Sequence, residues 1–280
     1  MGMKQRWFKQ VDVFGSEPYL GNPLAVVLEA EGLSDTDMES FARWTNLSET
    51  TFVLPPTQDG ADYRVRIFTP GGEIPFAGHP TLGTCHAWLE AGNKRRYPDV
   101  VVQECGIGLV TLHANAGIAA FAAPPLLRSG PLEEDVLDQA LKALNLDRTQ
   151  ILASNWIDNG PGWLGLLLPD AASVLALKPD PVVMGSLRVG VIGAQPADAE
   201  TDYEVRAFVP GLGITEDPVT GSLNAGLAQW LIGADLAPER YVVTQGTAVR
   251  RDGRVRVFTR DGKIWVGGST VTSIDGTVTL

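Results

Sequence analysis

The chain has 280 residues, 44% hydrophobic and 20% charged, which is enough apolar material for one large domain or two ordinary ones. A formal charge of −11 argues against a surface built to track phosphates, and two cysteines are too few for a disulfide framework. The polar stretch 1–10 lacks the apolar core of a signal peptide, and no apolar run approaches the roughly 20 residues of a membrane span. The composition therefore predicts a soluble, cytoplasmic protein with neither nucleic acid nor membrane as partner.

Short runs of apolar and β-branched residues make Phe8–Phe14, Leu24–Leu28 and Thr51–Leu54 strand candidates. Between the last two, Met38, Phe41, Ala42 and Thr45 share one face of a helix predicted over Asp35–Trp44. Tyr63–Phe68 alternates like a half-buried strand. A Gly-rich loop follows, and then a helix with Pro80 at its first position, where a missing N–H costs nothing. That helix carries Leu82, Cys85 and Leu89 on one face and stops at Gly92. Strands at Val100–Glu104, Leu109–His113 and Ile118–Ala122 lead to a junction, Ala122–Pro131, marked by Pro124, Pro125 and Gly130.

The second half opens with a helix over Glu133–Leu144 and strands at Leu164–Leu168, Leu187–Ile192 and Tyr203–Phe208. A helix opened by Pro218 places Leu223, Leu227, Trp230 and Leu231 on one face and ends near Gly233. Strands at Tyr241–Thr244, Val255–Thr259, Ile264–Val266 and Val271–Ile274 complete the chain.

The halves repeat. Asp62-Tyr63-Arg64-Val65-Arg66-Ile67-Phe68-Thr69-Pro70 returns as Asp202-Tyr203-Glu204-Val205-Arg206-Ala207-Phe208-Val209-Pro210, an offset of 140. After a two-residue slip, Gly78-His79-Pro80-Thr81-Leu82-Gly83-Thr84 lies over Glu216-Asp217-Pro218-Val219-Thr220-Gly221-Ser222, an offset of 138. A period of half the chain means two copies of one fold, not a solenoid. The expected class is α+β: two sibling strand-rich domains, each sheet wrapping or flanking its helix.

In this alignment His79 and Asp217 each precede the helical proline, at the N-cap. Asp is a favoured cap worth roughly 1 kcal/mol, so Asp217 has a structural explanation, whereas His is a poor cap. Two helix N-termini facing a cleft between domains would present free N–H groups and positive dipole ends to a carboxylate or phosphate. Gly78, Gly83 and Gly221 would let backbone approach such a ligand. Glu49, in Asn46-Leu47-Ser48-Glu49-Thr50, reads on its own as a solvated turn residue; a chemical role requires burial that spacing does not show.

Other chemistries are set aside. Gly160-Pro161-Gly162-Trp163-Leu164-Gly165 satisfies G-x-G-x-x-G, but its strand follows the motif instead of preceding it. There is no Walker loop and no G-x-S-x-G elbow. His79, Cys85, His86 and His113 lack the paired spacing of a zinc site, so no metal is expected. Cys105 reads as a small buried hydrophobe.

Five segments together resemble the phenazine-biosynthesis PhzF-like family: Val11-Asp12-Val13-Phe14, Gly21-Asn22-Pro23-Leu24-Ala25-Val26-Val27, Asn46 through Val53, Ala77-Gly78-His79-Pro80-Thr81, and Glu216 through Ser222. The tail around Gly267-Gly268-Ser269 resembles the family's closing strands. The resemblance implies a diaminopimelate-epimerase-like fold: two pseudo-symmetric domains, each a curled, mainly antiparallel sheet around a central helix, with the active site between them. Residues 1–124 would form the first domain, completed by a closing strand at about 266–280, and residues 125–265 the second.

The family's type member isomerises a dihydro-hydroxyanthranilate without cofactor or metal, using a Glu as proton shuttle. The match carries that role to Glu49 and the assisting roles to His79 and Asp217. Backbone N–H groups around Gly78, Gly221 and Ser222 would cradle an anion. Burial would raise the pKa of Glu49, and helix N-termini would lower it. Racemases of this fold use two opposed thiols, but neither loop here holds a cysteine, which disfavours that chemistry. The expected protein is a homodimeric, cofactor-independent isomerase acting on a small, cyclic, carboxylate-bearing substrate. Competing readings are an epimerase or racemase working through carboxyl and imidazole, and a carboxylate-binding protein without turnover. The loops Gly15–Leu20 and Leu212–Glu216 would choose the substrate and carry no readable code.

Overall fold

A computed structural model of the chain describes residues 4–212 and 214–280; Gly213, in the second of those loops, and residues 1–3 of the polar N-terminal stretch lie outside them. The fold divides into two compact units, one running to Ala122 and resuming over Gly267–Leu280, the other spanning Ala123–Val266. Among the described residues no helix is long and apolar enough to cross a membrane.

The first unit contains β1 (Gln5–Val13), β2 (Asn22–Val27), α1 (Asp35–Thr45), β3 (Thr50–Leu54), β4 (Tyr63–Thr69), β5 (Gly72–Ile74), α2 (Gly78–Glu90), β6 (Val100–Cys105), β7 (Gly108–Asn115) and β8 (Ile118–Ala122). The second contains β9 (Arg128–Gly130), α3 (Glu134–Leu144), β10 (Ala153–Asp158), β11 (Trp163–Leu168), α4 (Ala171–Ala176), α5 (Pro181–Met184), β12 (Arg188–Ala194), β13 (Tyr203–Phe208), β14 (Glu216–Asp217), α6 (Gly221–Gly233), β15 (Arg240–Gln245) and β16 (Gly253–Arg260). The last strand, β17 (Lys263–Thr279), begins in the second unit and ends in the first.

In the first unit β1 joins β2, β2 runs parallel to β3, β3 is antiparallel to β4, and β4 runs parallel to β6. The chain continues antiparallel through β7 and β8. The C-terminal strand β17 pairs with both β8 and β1, so the sheet closes on itself. Helix α2 touches β1, β2, β3, β6 and β8. Ten of its thirteen residues are buried, so it is enclosed on all sides and is more than an amphipathic helix resting on one face. Its composition of Gly, Ala, Thr and Cys suits that enclosure. A Cβ on Gly83 would come within 3.0 Å of Leu24, Val13 and Val11, so only glycine lets the helix lie this close.

Outside the sheet, α1 buries Met38, Phe41 and Ala42 against Phe52 and Phe68. Val271–Ile274 and Ile264–Val266 are not separate strands: both belong to β17, whose Thr270–Thr279 pair with β1. Gly267 does not break the strand, because it packs directly on the Ala119–Ala120 backbone.

The second unit repeats this pairing: β10 antiparallel to β11, β11 parallel to β12, β12 antiparallel to β13, β13 parallel to β15, and β15 antiparallel to β16. Helix α6 takes the place of α2, and Gly226 meets the carbonyl of Ile157 in β10 as Gly83 meets β1. Helices α3, α4 and α5 cover the other face around Leu141, Leu166, Val189 and Val191. The unpredicted pieces are β5, β9, β10, β14, α4 and α5. Most are too short for a period, and β10 is interrupted by Ser154 and Asn155.

The ladders correct the repeat. Asp62 exchanges its N–H and carboxylate with the backbone of Val102, as Asp202 does with Val242, which keeps the offset at 140. Arg66 grips Glu73 with two hydrogen bonds, and Arg206 grips Glu216 in the same way, an offset of 143 for the carboxylates. The helices begin at Gly78 and Gly221, again 143 apart. The second copy therefore holds three more residues after its Arg-bearing strand, and the offset of 138 is not the structural one.

Three expectations fall with it. His79 is the second residue of α2, whose N-cap is Ala77, and Asp217 ends β14, four residues before α6 with its N-cap Thr220. Neither residue is an N-cap. Pro80 stands third in its helix, where its missing N–H is tolerated because first-turn donors lack intrahelical acceptors, and Pro218 stays outside its helix. His79 and Asp217 are also not counterparts: Ser222 corresponds to His79, and Ile74, paired with Ile67 as Asp217 is with Ala207, corresponds to Asp217.

Candidate active site

Helix α1 ends at Asn46 in the left-handed conformation, and the chain turns there through Leu47 and Ser48 to bring Glu49 to the head of β3. One strand position on, Thr50 pairs with Ala25 and Phe68, which fixes where the carboxyl emerges. The Glu49 side chain is 16% exposed, and Oε2 lies 3.3 Å from Nε2 of buried His79. Among the described residues Oε2 accepts no well-aligned hydrogen bond and is shielded from solvent. Burial pushes the Glu49 carboxyl up to about 7; the adjacent Ser48 hydroxyl pulls in the opposite direction but does not win.

His79 is oriented from its other side. Asn22, at the head of β2 and 1% exposed, brings Nδ2 to 3.4 Å from His79 Nδ1. With its amide nitrogen toward the ring, Asn22 donates to Nδ1, which puts the ring proton on Nε2, facing Glu49. The first turn of α2 is held by Gln103, which donates to Thr81 Oγ1 at 3.0 Å and accepts from Tyr63 at 3.0 Å. The backbone N–H of Gly78 and that of His79 belong to this first turn, where no intrahelical acceptor exists.

In the second unit, Asp217 accepts the Thr220 hydroxyl. Gln245 knits the surroundings together: its Oε1 accepts from Thr220 N–H at 3.1 Å and Asn224 Nδ2 at 2.8 Å, and its Nε2 donates to Asp217 carbonyl and Thr220 Oγ1. Ser222 Oγ accepts from Trp163 Nε1 at 3.1 Å, and the Ser222 carbonyl accepts from Asn159 at 2.8 Å. Gly221 and Ser222 are the first two residues of α6.

The structure thus brings Glu49 and His79 together and gathers Asp217, Gly221 and Ser222 around one helix start. Sequence reasoning missed Asn22, Gln103, Gln245 and Trp163 as partners. Only Asn22 left a trace, inside the Gly21-Asn22-Pro23 segment. The Gly160–Gly165 motif is a turn in which Asp158 Oδ1 accepts from Gly160 and Gly162 N–H, joining β10 to antiparallel β11. Burial pushes the Cys85 thiol up to about 12, which keeps it protonated. His86 meets Thr272 at 3.0 Å, and among the described residues no three His, Cys, Asp or Glu side chains cluster to hold a metal.

A carboxyl that titrates near neutrality beside an imidazole N–H is equipped to take up and return a proton. The sequence profile of phenazine biosynthesis-like proteins matches residues 11–276. The chain belongs to that family. It is 35% identical over 295 residues to antisense-enhancing sequence 1 of Schizosaccharomyces pombe, covering 98% of this chain and 99% of the relative. It is 34% identical over 281 residues to the trans-2,3-dihydro-3-hydroxyanthranilate isomerase of Pseudomonas chlororaphis, covering 96% and 98%. The crystal structure of a PhzF-family protein from Enterococcus faecalis is similar with a TM-score of 0.82 at 25% identity, over 99% of this chain and all of that one. This PhzF-like chain is an isomerase, and its α+β fold is the diaminopimelate-epimerase-like one expected from the sequence.

Proposed function

We propose that the chain is a cofactor-independent isomerase in which Glu49 carries a proton between two carbons of a small, cyclic, carboxylate-bearing substrate. The supporting observation is the buried Glu49 carboxyl, with a pKa of about 7, facing His79 Nε2 at 3.3 Å. Ionised Glu49 takes a proton from carbon, and the electron pair left behind moves through the substrate's conjugated system. The protonated acid then returns the proton at the other end of that system. The His79 N–H stabilises the ionised form and releases it when Glu49 is protonated. We assign Asp217 an assisting role in this transfer, and the N–H groups of Gly78, Gly221 and Ser222 to the substrate carboxylate.

The named activity of the Pseudomonas relative supports a ring acid of the dihydroanthranilate type as first substrate to try. Incubation with trans-2,3-dihydro-3-hydroxyanthranilate in deuterated water, followed by NMR, should show deuterium entering the product. Glu49→Gln should lower turnover by roughly 100- to 10,000-fold, the usual span for a general acid–base group. Undiminished turnover in that variant would overturn the assignment. We also assign the active form as a cytoplasmic homodimer; light scattering at a monomer mass would reject the dimer.

A further inference from the structure

The repeat pairs Glu49 with a residue of opposite charge. Phe68 and Phe208 are counterparts at the offset of 140; Thr50 faces Phe68 in one ladder and Val189 faces Phe208 in the other. Thr50 and Val189 therefore correspond, and so do the residues just before them, Glu49 and Arg188. His79 and Ser222 are likewise the second residues of α2 and α6. Arg188 stands to Ser222 as Glu49 stands to His79.

Three observations within the second unit fix the direction in which Arg188 faces. A Cβ on Gly190 would strike the Leu223 side chain at 2.1 Å, so Gly190 faces α6, and Arg188, two positions earlier, shares its side of the strand. In the parallel ladder Arg188 is the partner of Trp163, whose indole holds the Ser222 hydroxyl. Gly165, two positions after Trp163, faces Leu227 and Trp230 of α6, which confirms the side. The first unit follows the same rule: Thr51, two positions after Glu49, accepts the Thr84 hydroxyl from α2 at 2.8 Å.

Arg188 is half-buried. Among the described residues no carboxylate pairs with it, whereas Arg206 in the neighbouring strand is tied to Glu216 and to the Val174 and Leu177 carbonyls. A guanidinium does not give up its proton, so Arg188 is suited to hold an anion and not to shuttle a proton. Its planar fork matches a carboxylate with two parallel hydrogen bonds.

We propose that Arg188 joins the backbone N–H groups assigned above in receiving the carboxylate of the substrate and is the specificity-determining residue there; this rests on the isomerase reading above and names the group that selects an acid over its neutral analogue. The test is isothermal titration of 3-hydroxyanthranilate and its amide, 3-hydroxyanthranilamide, into wild type, Arg188→Gln and Arg188→Lys. Wild type should prefer the acid, and Arg188→Gln should lose about tenfold or more in acid affinity, the value of a charged hydrogen bond, with amide affinity unchanged. Arg188→Lys, which keeps the charge and loses the fork, should fall between them and serves if the Gln variant does not fold. Equal acid preference in wild type and both variants, or no preference in wild type, overturns the proposal. The proton-transfer reading is judged separately, by deuterium entry in wild type and its loss in Glu49→Gln.

Discussion

The starts of α2 and α6 share one scaffold and differ in how their polar groups are satisfied. At α2 the decisive groups are titratable: Glu49 Oε2 is buried without a well-aligned hydrogen bond among the described residues, and His79 faces it. At α6 the polar groups are locked, with Gln245 alone bonding Thr220, Asn224 and the Asp217 carbonyl. An unsatisfied buried carboxylate costs stability, and a saturated network restores rigidity. On the reading proposed above, proton movement centres on the start of α2, and the bonded network at the start of α6 holds Asp217 in place to assist it.

The largest expected difference lies in the two copies of the Arg–Glu pair. Arg206 and Glu216 are each 6% exposed, whereas Arg66 and Glu73 are 17% and 43% exposed and Arg66 keeps Asp35 as a second partner. Glu216→Gln should therefore cost about 3–5 kcal/mol in urea unfolding, because it strands a buried guanidinium. Glu73→Gln should cost about 1 kcal/mol or less. Equal losses would show that the repeat equalises what burial separates.

Next comes the pH dependence of Glu49. Its carboxyl rises from an ordinary 4.5 to about 7 on folding, so the folded state holds the proton more tightly. Destabilisation is absent below about pH 4, grows as pH rises from 4.5 to 7, and is constant above that. Its full size is up to about 3 kcal/mol. Glu49→Gln should remove it and melt higher than wild type at pH 8 and equally at pH 4. The alkaline-going limb of activity near pH 7 should vanish in the same variant. A variant less stable than wild type at pH 8 would contradict the burial argument.

Asn22→Ala tests whether the imidazole must be oriented. Losing the donor to Nδ1 should lower kcat by about tenfold, the value of one hydrogen bond to a buried partner, and leave KM nearly unchanged. A change in KM alone would mean that Asn22 shapes the pocket and does not set the tautomer.

Which of these contrasts were legible in the letters depends on the length scale involved. Tyr63–Phe68 alternates strongly enough to be read directly, and Ile118–Ala122 reads as a short apolar run. Helix α2 was readable as a helix, but its enclosure was not, because Gly, Ala and Thr form no stripe. The registration of the two helices failed for a different reason. His-Pro and Asp-Pro look alike as letters, while backbone pairing of Ile74 and Asp217 decides the true equivalence. Glu49 stood out only through its motif, since its pKa comes from burial contributed by distant residues. Arg188 gave no signal at all before the ladders placed it.

The smallest effect concerns α1, the helix whose end launches Glu49. Ser34 and Asp37 form a capping box at its start, and Ser34 holds the Asp37 carboxyl below its usual range. Ser34→Ala should cost about 1 kcal/mol of stability. Because the Asp37 pKa is depressed on folding, its share of the cap is present above about pH 4 and fades as pH falls. Asn46, at the far end of α1, still turns the chain in the variant, so kcat should be unchanged. A fall in kcat alongside the fall in melting temperature would mean that α1 transmits its register to Glu49, which would make the crossover helix of the first unit part of the proton-transfer apparatus. No such coupling is expected for the corresponding crossover, α4, whose cap at Asp170 accepts the Ser173 N–H of its own first turn.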